Sequence, residues 1–172
     1  MYQSVDAALQ DAYRFGCLRI EPQNNTAQVM AWCENKGVVG NGAVGLTQAE
    51  WHANAAMIQA KVESVLNRYE LAAVEMQYSG GLKQDGIIDL TAYIEQQNNG
   101  VNLLVCDAII ANIFTGKPKQ TAIMDKYDMS KGAYWRQHKK IKGVVAALHN
   151  SAICKLECVF IEAGIMQAVD AA

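Results

Sequence analysis

Cys154 and Cys158 stand four residues apart, so any helix that carries them turns both to one side. Two thiolates at that spacing supply half of a tetrahedral metal site, but a complete one needs two further ligands. The nearest histidine, His149, falls off that face. With Cys17, Cys33 and Cys106 the total is five, an odd number whose spacing matches no disulfide framework or zinc ribbon. The cysteines are therefore read as buried, reduced thiols, since free cysteine packs as a small hydrophobe. His52, His138 and His149 form no metal-ligand spacing, and no Ser/His/Asp or Cys/His constellation marks a nucleophile. Glu50 and His52 resemble an acid–base pair, yet Glu50 is explained by a helix cap and His52 by a solvated flank. The expectation is a protein that is not an enzyme and carries neither cofactor nor metal.

Charge carries the stronger signal. Phe114 to Lys142 holds eight basic side chains (Lys117, Lys119, Lys126, Lys131, Arg136, Lys139, Lys140, Lys142) against Asp125 and Asp128, a local charge of +6. The rest of the chain holds seven basic and fifteen acidic side chains, a charge of −8, so the overall −2 conceals a strong asymmetry. A concentrated cationic segment on an acidic chain attracts a polyanion to that segment and repels it elsewhere. A solvated helix face would carry the same charges, so the surrounding pattern must decide.

The elements that would position these residues are helical. The chain has 172 residues, 51% of them hydrophobic and 19% charged, with two prolines, which excludes a disordered tail or a collagenous repeat and suffices for a sizeable core. Val5, Ala8, Leu9, Ala12, Tyr13 and Leu18 recur at helical spacing. Pro22 and the run Gln23 to Thr26 interrupt the pattern. Residues 37–45 hold four glycines and read as a loop, with no Lys-Ser/Thr pair to make a phosphate-binding P-loop. Thr47-Gln48-Ala49-Glu50 is a capping box that starts a long helix with Trp51, Ala55, Ile58, Val62, Val65, Leu66 and Tyr69 on its face. Ser79-Gly80-Gly81 is a stop. Ile87 to Ile94 reads as a helix ended by Asn98-Asn99-Gly100. The set Leu103, Leu104, Cys106, Ile109, Ile110, Ile113 and Phe114 reads as an apolar helix central to the core.

No period-two alternation suggests a sheet. The fold class is thus all-α, a helical bundle with two parts: N-terminal helices and glycine-rich loop over 1–46, and a helical core over 47–172. The apolar stretch Val101 to Cys106 is far too short to span a bilayer, and the opening residues Met1 to Asp6 do not read as a secretory signal. A soluble, cytoplasmic protein with no membrane partner is expected.

Within the cationic segment the pattern is specific. A short helix bearing Ala122 and Ile123 ends at Tyr127, Asp128-Met129 makes a tight turn, and Ser130 is placed to N-cap a second helix. Tyr134 or Trp135, then Ile141, return to the core. A helix-turn-helix needs this order: a small residue for close packing, an apolar plug in the turn, and a polar cap at the start of the recognition helix. Glycine usually fills the turn position taken here by Asp128, and aspartate tolerates the left-handed conformation better than most residues. On this reading the motif lies at about 118–149. Arg136 and Gln137 are the candidates for base edges, by pairing with guanine and adenine. Lys117, Lys119, Lys126, Ser130, Lys131, Lys139, Lys140 and Lys142 complete the DNA-binding set, with the lysines expected on phosphates. Tyr134 and Trp135 are expected as core rather than stacking residues.

The order Ala122-Ile123, Tyr127, Met129-Ser130, Trp135, Ile141 resembles the helix-turn-helix of sigma-factor region 4 and related regulators. Together with the long helix containing Trp51 to Ile58, Val65-Leu66 and Tyr69-Glu70, the layout from Trp51 to Leu148 resembles the Q-type late-gene antitermination proteins of bacteriophages. That resemblance implies a DNA-binding transcription regulator in a bacterial host, engaging a promoter-proximal site and RNA polymerase, with the acidic N-terminal half as polymerase-facing or dimerising surface. The chain lacks the paired CxxC motif of the lambda-type branch, so no zinc is implied. A small terminase subunit, or a phage accessory protein that docks on a host protein, would combine similar elements.

Overall fold

A computed structural model describes residues 2–17, 48–81, 84–97, 100 and 102–167. Among them are seven helices and no strand: α1 (Val5–Cys17), α2 (Gln48–Val65), α3 (Arg68–Tyr78), α4 (Gln84–Gln96), α5 (Leu103–Thr115), α6 (Gln120–Lys126) and α7 (Lys131–Glu162). The all-α expectation holds. The glycine-rich loop, Thr47 and Cys33 lie outside the described residues, as does most of the proposed 1–46 unit.

Local sequence sets the helix ends. The long helix read from Thr47 to Tyr69 is broken at Leu66-Asn67. There Asn67 accepts from the backbone N–H groups of Tyr69 and Glu70, while the Glu70 carboxylate accepts from the Asn67 N–H. This is a capping box, Asn-x-x-Glu, and it starts a separate helix more favourably than α2 could continue through asparagine. At Ser79-Gly80-Gly81 the two glycines take positive φ of 66° and 75°, stopping α3 as expected. Asn102 caps α5 through the Leu104 N–H at 3.0 Å.

The helices pack around two apolar clusters. Val5, Leu9 and Tyr13 of α1, Ile58 and Val62 of α2, Val74 of α3 and Leu156 and Phe160 of α7 fill the first. Met76 of α3, Leu90 and Ile94 of α4, Ile109 and Ile110 of α5, Ile123 of α6 and Tyr134, Ile141 and Val145 of α7 fill the second. The 32-residue α7 thus serves both, through one buried stripe of Tyr134, Ile141, Val145, Leu148, Ala152, Leu156 and Phe160. By length and composition α7 could cross a bilayer, a property the sequence reading does not anticipate; its apolar stripe here is covered by other helices.

Two apolar expectations fail. Leu103 and Leu104 are exposed, because the capped first turn of α5 projects beyond the elements that cover Val105, Cys106, Ile109 and Ile110. Cys154 and Cys158 are exposed free thiols, since each lies two residues from buried Leu156 and so on the far side of α7. Cys106 is the buried thiol, and burial pushes its pKa up to about 11.

Where the clusters meet, Glu70 is only 3% exposed and accepts from Ser151 Oγ at 2.7 Å and from Lys155 Nζ at 2.7 and 2.8 Å. Burial raises a carboxyl pKa, but here the bonds from Lys155, Ser151 and the Asn67 N–H outweigh it and hold Glu70 below its ordinary value. A lowered folded pKa contributes stability above the unfolded carboxylate pKa, and that contribution fades as pH falls through the folded one. Chemical denaturation of Glu70→Gln should therefore show a shallower loss of stability on the acid side than the parent. Lys155→Met, which leaves a buried carboxylate short of its cation, should cost about 2 kcal/mol at neutral pH.

Candidate nucleic-acid interface

The cationic segment is held in place from α5. Asn112 donates through Nδ2 to the Pro118 carbonyl at 2.8 Å and accepts through Oδ1 from the Tyr134 hydroxyl at 3.2 Å. One side chain thereby fixes both the chain entering α6 and the first turn of α7. Ile123 is buried against the same cluster, and Met129, partly buried, plugs the connection between the helices as the sequence pattern requires. Ala122, assigned there as the close-packing small residue, is exposed instead: Ile123 faces the core, and a neighbour one step along a helix points about 100° away.

The connection itself follows the sequence reading. Asp128 has φ of 48°, the left-handed conformation expected at the turn. Ser130 has extended backbone and accepts from the Ala133 N–H at 3.2 Å, capping α7. The helix it starts runs on to Glu162 rather than ending near 149, so the outward portion is only the beginning of a core helix.

All eight cations of the segment are exposed. Lys117 and Lys119 lie ahead of α6. Lys126 ends α6 with its ammonium 5.2 Å from the centre of the Tyr127 ring. The remaining five divide between two stripes of α7 by their spacing. Lys131, Trp135, His138 and Lys142 share one flank, where the Trp135 and His138 rings meet at 5.4 Å. Burial, then the Lys142 charge, lowers the His138 pKa. Gly132, Arg136, Lys139, Lys140 and Gly143 form the other stripe, which borders a cleft of about 580 Å³ between α7 and α4.

Three assignments change. Tyr134 is buried but Trp135 is 47% exposed, because only Tyr134 aligns with Ile141 and Val145. Gln137 flanks the buried stripe, half-buried, with its Oε1 enclosed and without a hydrogen-bond partner. It does not stand beside Arg136 as a second base-reading side chain. His52 is half-buried with an enclosed, unpartnered Nε2, not on a solvated flank. Asn112 is the positioning residue that sequence reasoning missed; a lone asparagine inside an apolar helical run was its signal.

The histidines stay apart. His149 sits at a junction of α1, α3 and α7, with its Nε2 3.2 Å from the Tyr78 hydroxyl, which donates to Asp6. Among the described residues no three histidine, cysteine or acidic side chains are grouped to hold a metal.

Two local consequences can be measured by thermal or chemical denaturation. Asp128→Gly relieves a left-handed non-glycine residue and should leave stability unchanged or raise it by up to about 1 kcal/mol, whereas Ser130→Ala should lower it by about 1 kcal/mol. Gln137→Leu removes an enclosed acceptor with no partner and should be neutral or stabilising by about 1 kcal/mol. No protein-family model matches the chain, and no curated protein matches it significantly.

Proposed function

We propose that the chain is a duplex-DNA-binding transcription regulator that uses α6, the connection at Asp128 and the first turns of α7 as a helix-turn-helix. One observation carries the reading: every cation of the segment is exposed while Ile123, Tyr134 and Ile141 anchor the same two helices inward. A core helix that merely needed a soluble face would be served by mixed charges. The only carboxylates among these cations are Asp125, in α6, and Asp128, in the connection.

The parts then take separate tasks. Lys131 and Ser130 stand at the N-terminus of α7, where the unpaired backbone N–H groups favour phosphate. Arg136, one turn further along, is the side chain suited to a guanine edge. Trp135, exposed on the Lys131 flank, offers an apolar surface to a thymine methyl group. Lys117, Lys119, Lys126, Lys139, Lys140 and Lys142 supply phosphate contacts and the salt dependence that follows from counterion release. The resemblance of the Trp51 to Leu148 layout to Q-type antitermination proteins supports a promoter-proximal site as the target and transcription past a terminator as the output, with RNA polymerase as partner.

Selection of bound duplexes from a random pool, then transcription through a terminator on the selected sequence, tests both levels of this reading. Arg136→Ala should lower affinity for the selected site more than for random duplex, by about 1–3 kcal/mol, whereas Lys139→Ala should weaken both alike and reduce the salt slope by about one. Indifference to duplex DNA in dilute buffer refutes DNA binding. Site binding without read-through refutes antitermination alone.

A further inference from the structure

The cleft between α4 and the Arg136 stripe of α7 has a composition that duplex binding does not require. Arg136, Lys139 and Lys140 line it, and no carboxylate does. Arg136 and Lys139 have no acidic partner among the described residues. Uncompensated guanidinium and ammonium groups converging on a concavity favour a phosphate, which arginine can hold through two parallel hydrogen bonds.

The rest of the lining is not built for phosphate. Tyr93 and Gln97 come from the C-terminal end of α4 and the residue after it, and Val144 and Ala147 give an apolar floor. The Tyr93 ring is held at 5.0 Å from that of Tyr69, whose hydroxyl accepts from Gln96 at 2.9 Å, so its orientation is set from behind. Gly143 lies in the floor, and a Cβ placed there would meet nothing within 4 Å. No packing contact explains that glycine, and inside a helix it is less stable than alanine. The space above it is open. An aromatic ring, an amide, an apolar floor and three cations together match a planar base joined to phosphate.

We infer that the cleft between Tyr93 and Arg136 is a binding site for a nucleoside phosphate, either a free nucleotide or one unit of a single strand. The inference goes beyond the duplex reading and does not need it, although Arg136, Lys139 and Lys140 border both surfaces.

Calorimetric titration of the full chain with ATP, tripolyphosphate, dTMP and a single-stranded thymidine hexanucleotide tests the site. ATP should bind at least about fivefold more tightly than tripolyphosphate, the low end of what stacking on an aromatic side chain adds. Tyr93→Leu, which keeps an apolar side chain against Tyr69, should erase that difference and spare tripolyphosphate. Gly143→Leu fills the floor and should abolish preferential ATP binding; circular dichroism verifies that both variants remain helical. Hexanucleotide binding stronger than dTMP identifies the source as a strand, and equal binding identifies a free nucleotide; both uphold the site. Equal affinity for ATP and tripolyphosphate, or ATP binding indifferent to Gly143→Leu in a folded protein, overturns it. Lys131→Ala, outside the cleft, should weaken duplex binding and leave ATP binding intact, so each proposal can fail without the other.

Discussion

The structure depends on one helix satisfying two cores at once. Seven side chains of α7 form a single buried stripe from Tyr134 to Phe160. Each large apolar member contributes roughly 1.5–3 kcal/mol by leaving water, so the stripe, not any polar contact, supplies most of what holds α7 in place. The burial is not directional enough to set register. That requirement falls on Glu70, whose carboxylate receives bonds from Ser151, Lys155 and the Asn67 N–H. A buried ion pair yields little net stability once desolvation is counted, but a slip of one turn along α7 would leave Glu70 unpaired, which is expensive. Packing gives the energy and the carboxylate gives the alignment.

Fixing α7 on one side determines what its other faces can do. With Tyr134 and Ile141 committed inward, helical spacing turns Lys131 and Lys142 to one flank and Arg136 and Lys139 to the other. The N-terminal third of α7 therefore presents cations without separate scaffolding, while its C-terminal half lies between α1, α2 and α3. The acidic residues elsewhere add no attraction for a polyanion, which concentrates any such partner at the segment from Lys117 to Lys142. Asn112 completes the arrangement by tying the entry to α6 and the start of α7 to the same point on α5.

Polar side chains also join helices. Tyr78 links Asp6 of α1 to His149 of α7, and burial, then Asp6, raises its pKa well above the ordinary phenol value. Thr91 of α4 donates to Asp107 of α5. Each pair closes a contact between helices whose shared apolar surface alone would tolerate sliding. The exposed thiols Cys154 and Cys158 stand outside this scheme.

Sequence by itself determined the helical class, the stops at Ser79-Gly80-Gly81, the left-handed turn at Asp128 and the Ser130 cap. Each depends on backbone chemistry within a few residues, which local spacing reports directly. The break at Asn67 was legible too, as Asn-x-x-Glu, but strong apolar periodicity across it concealed the signal. Which of Tyr134 and Trp135 enters the core was not legible: adjacent positions differ by about 100° around the helix, and the choice falls to the surface that Asn112 and Ile141 present. Only the tertiary structure decided that Gln137 is half-enclosed, that Cys154 and Cys158 face outward, and that Tyr93 stands across a cleft from Arg136. Those outcomes turn on which face of α7 is covered by helices distant in the chain, and a single sequence records the faces but not their partners.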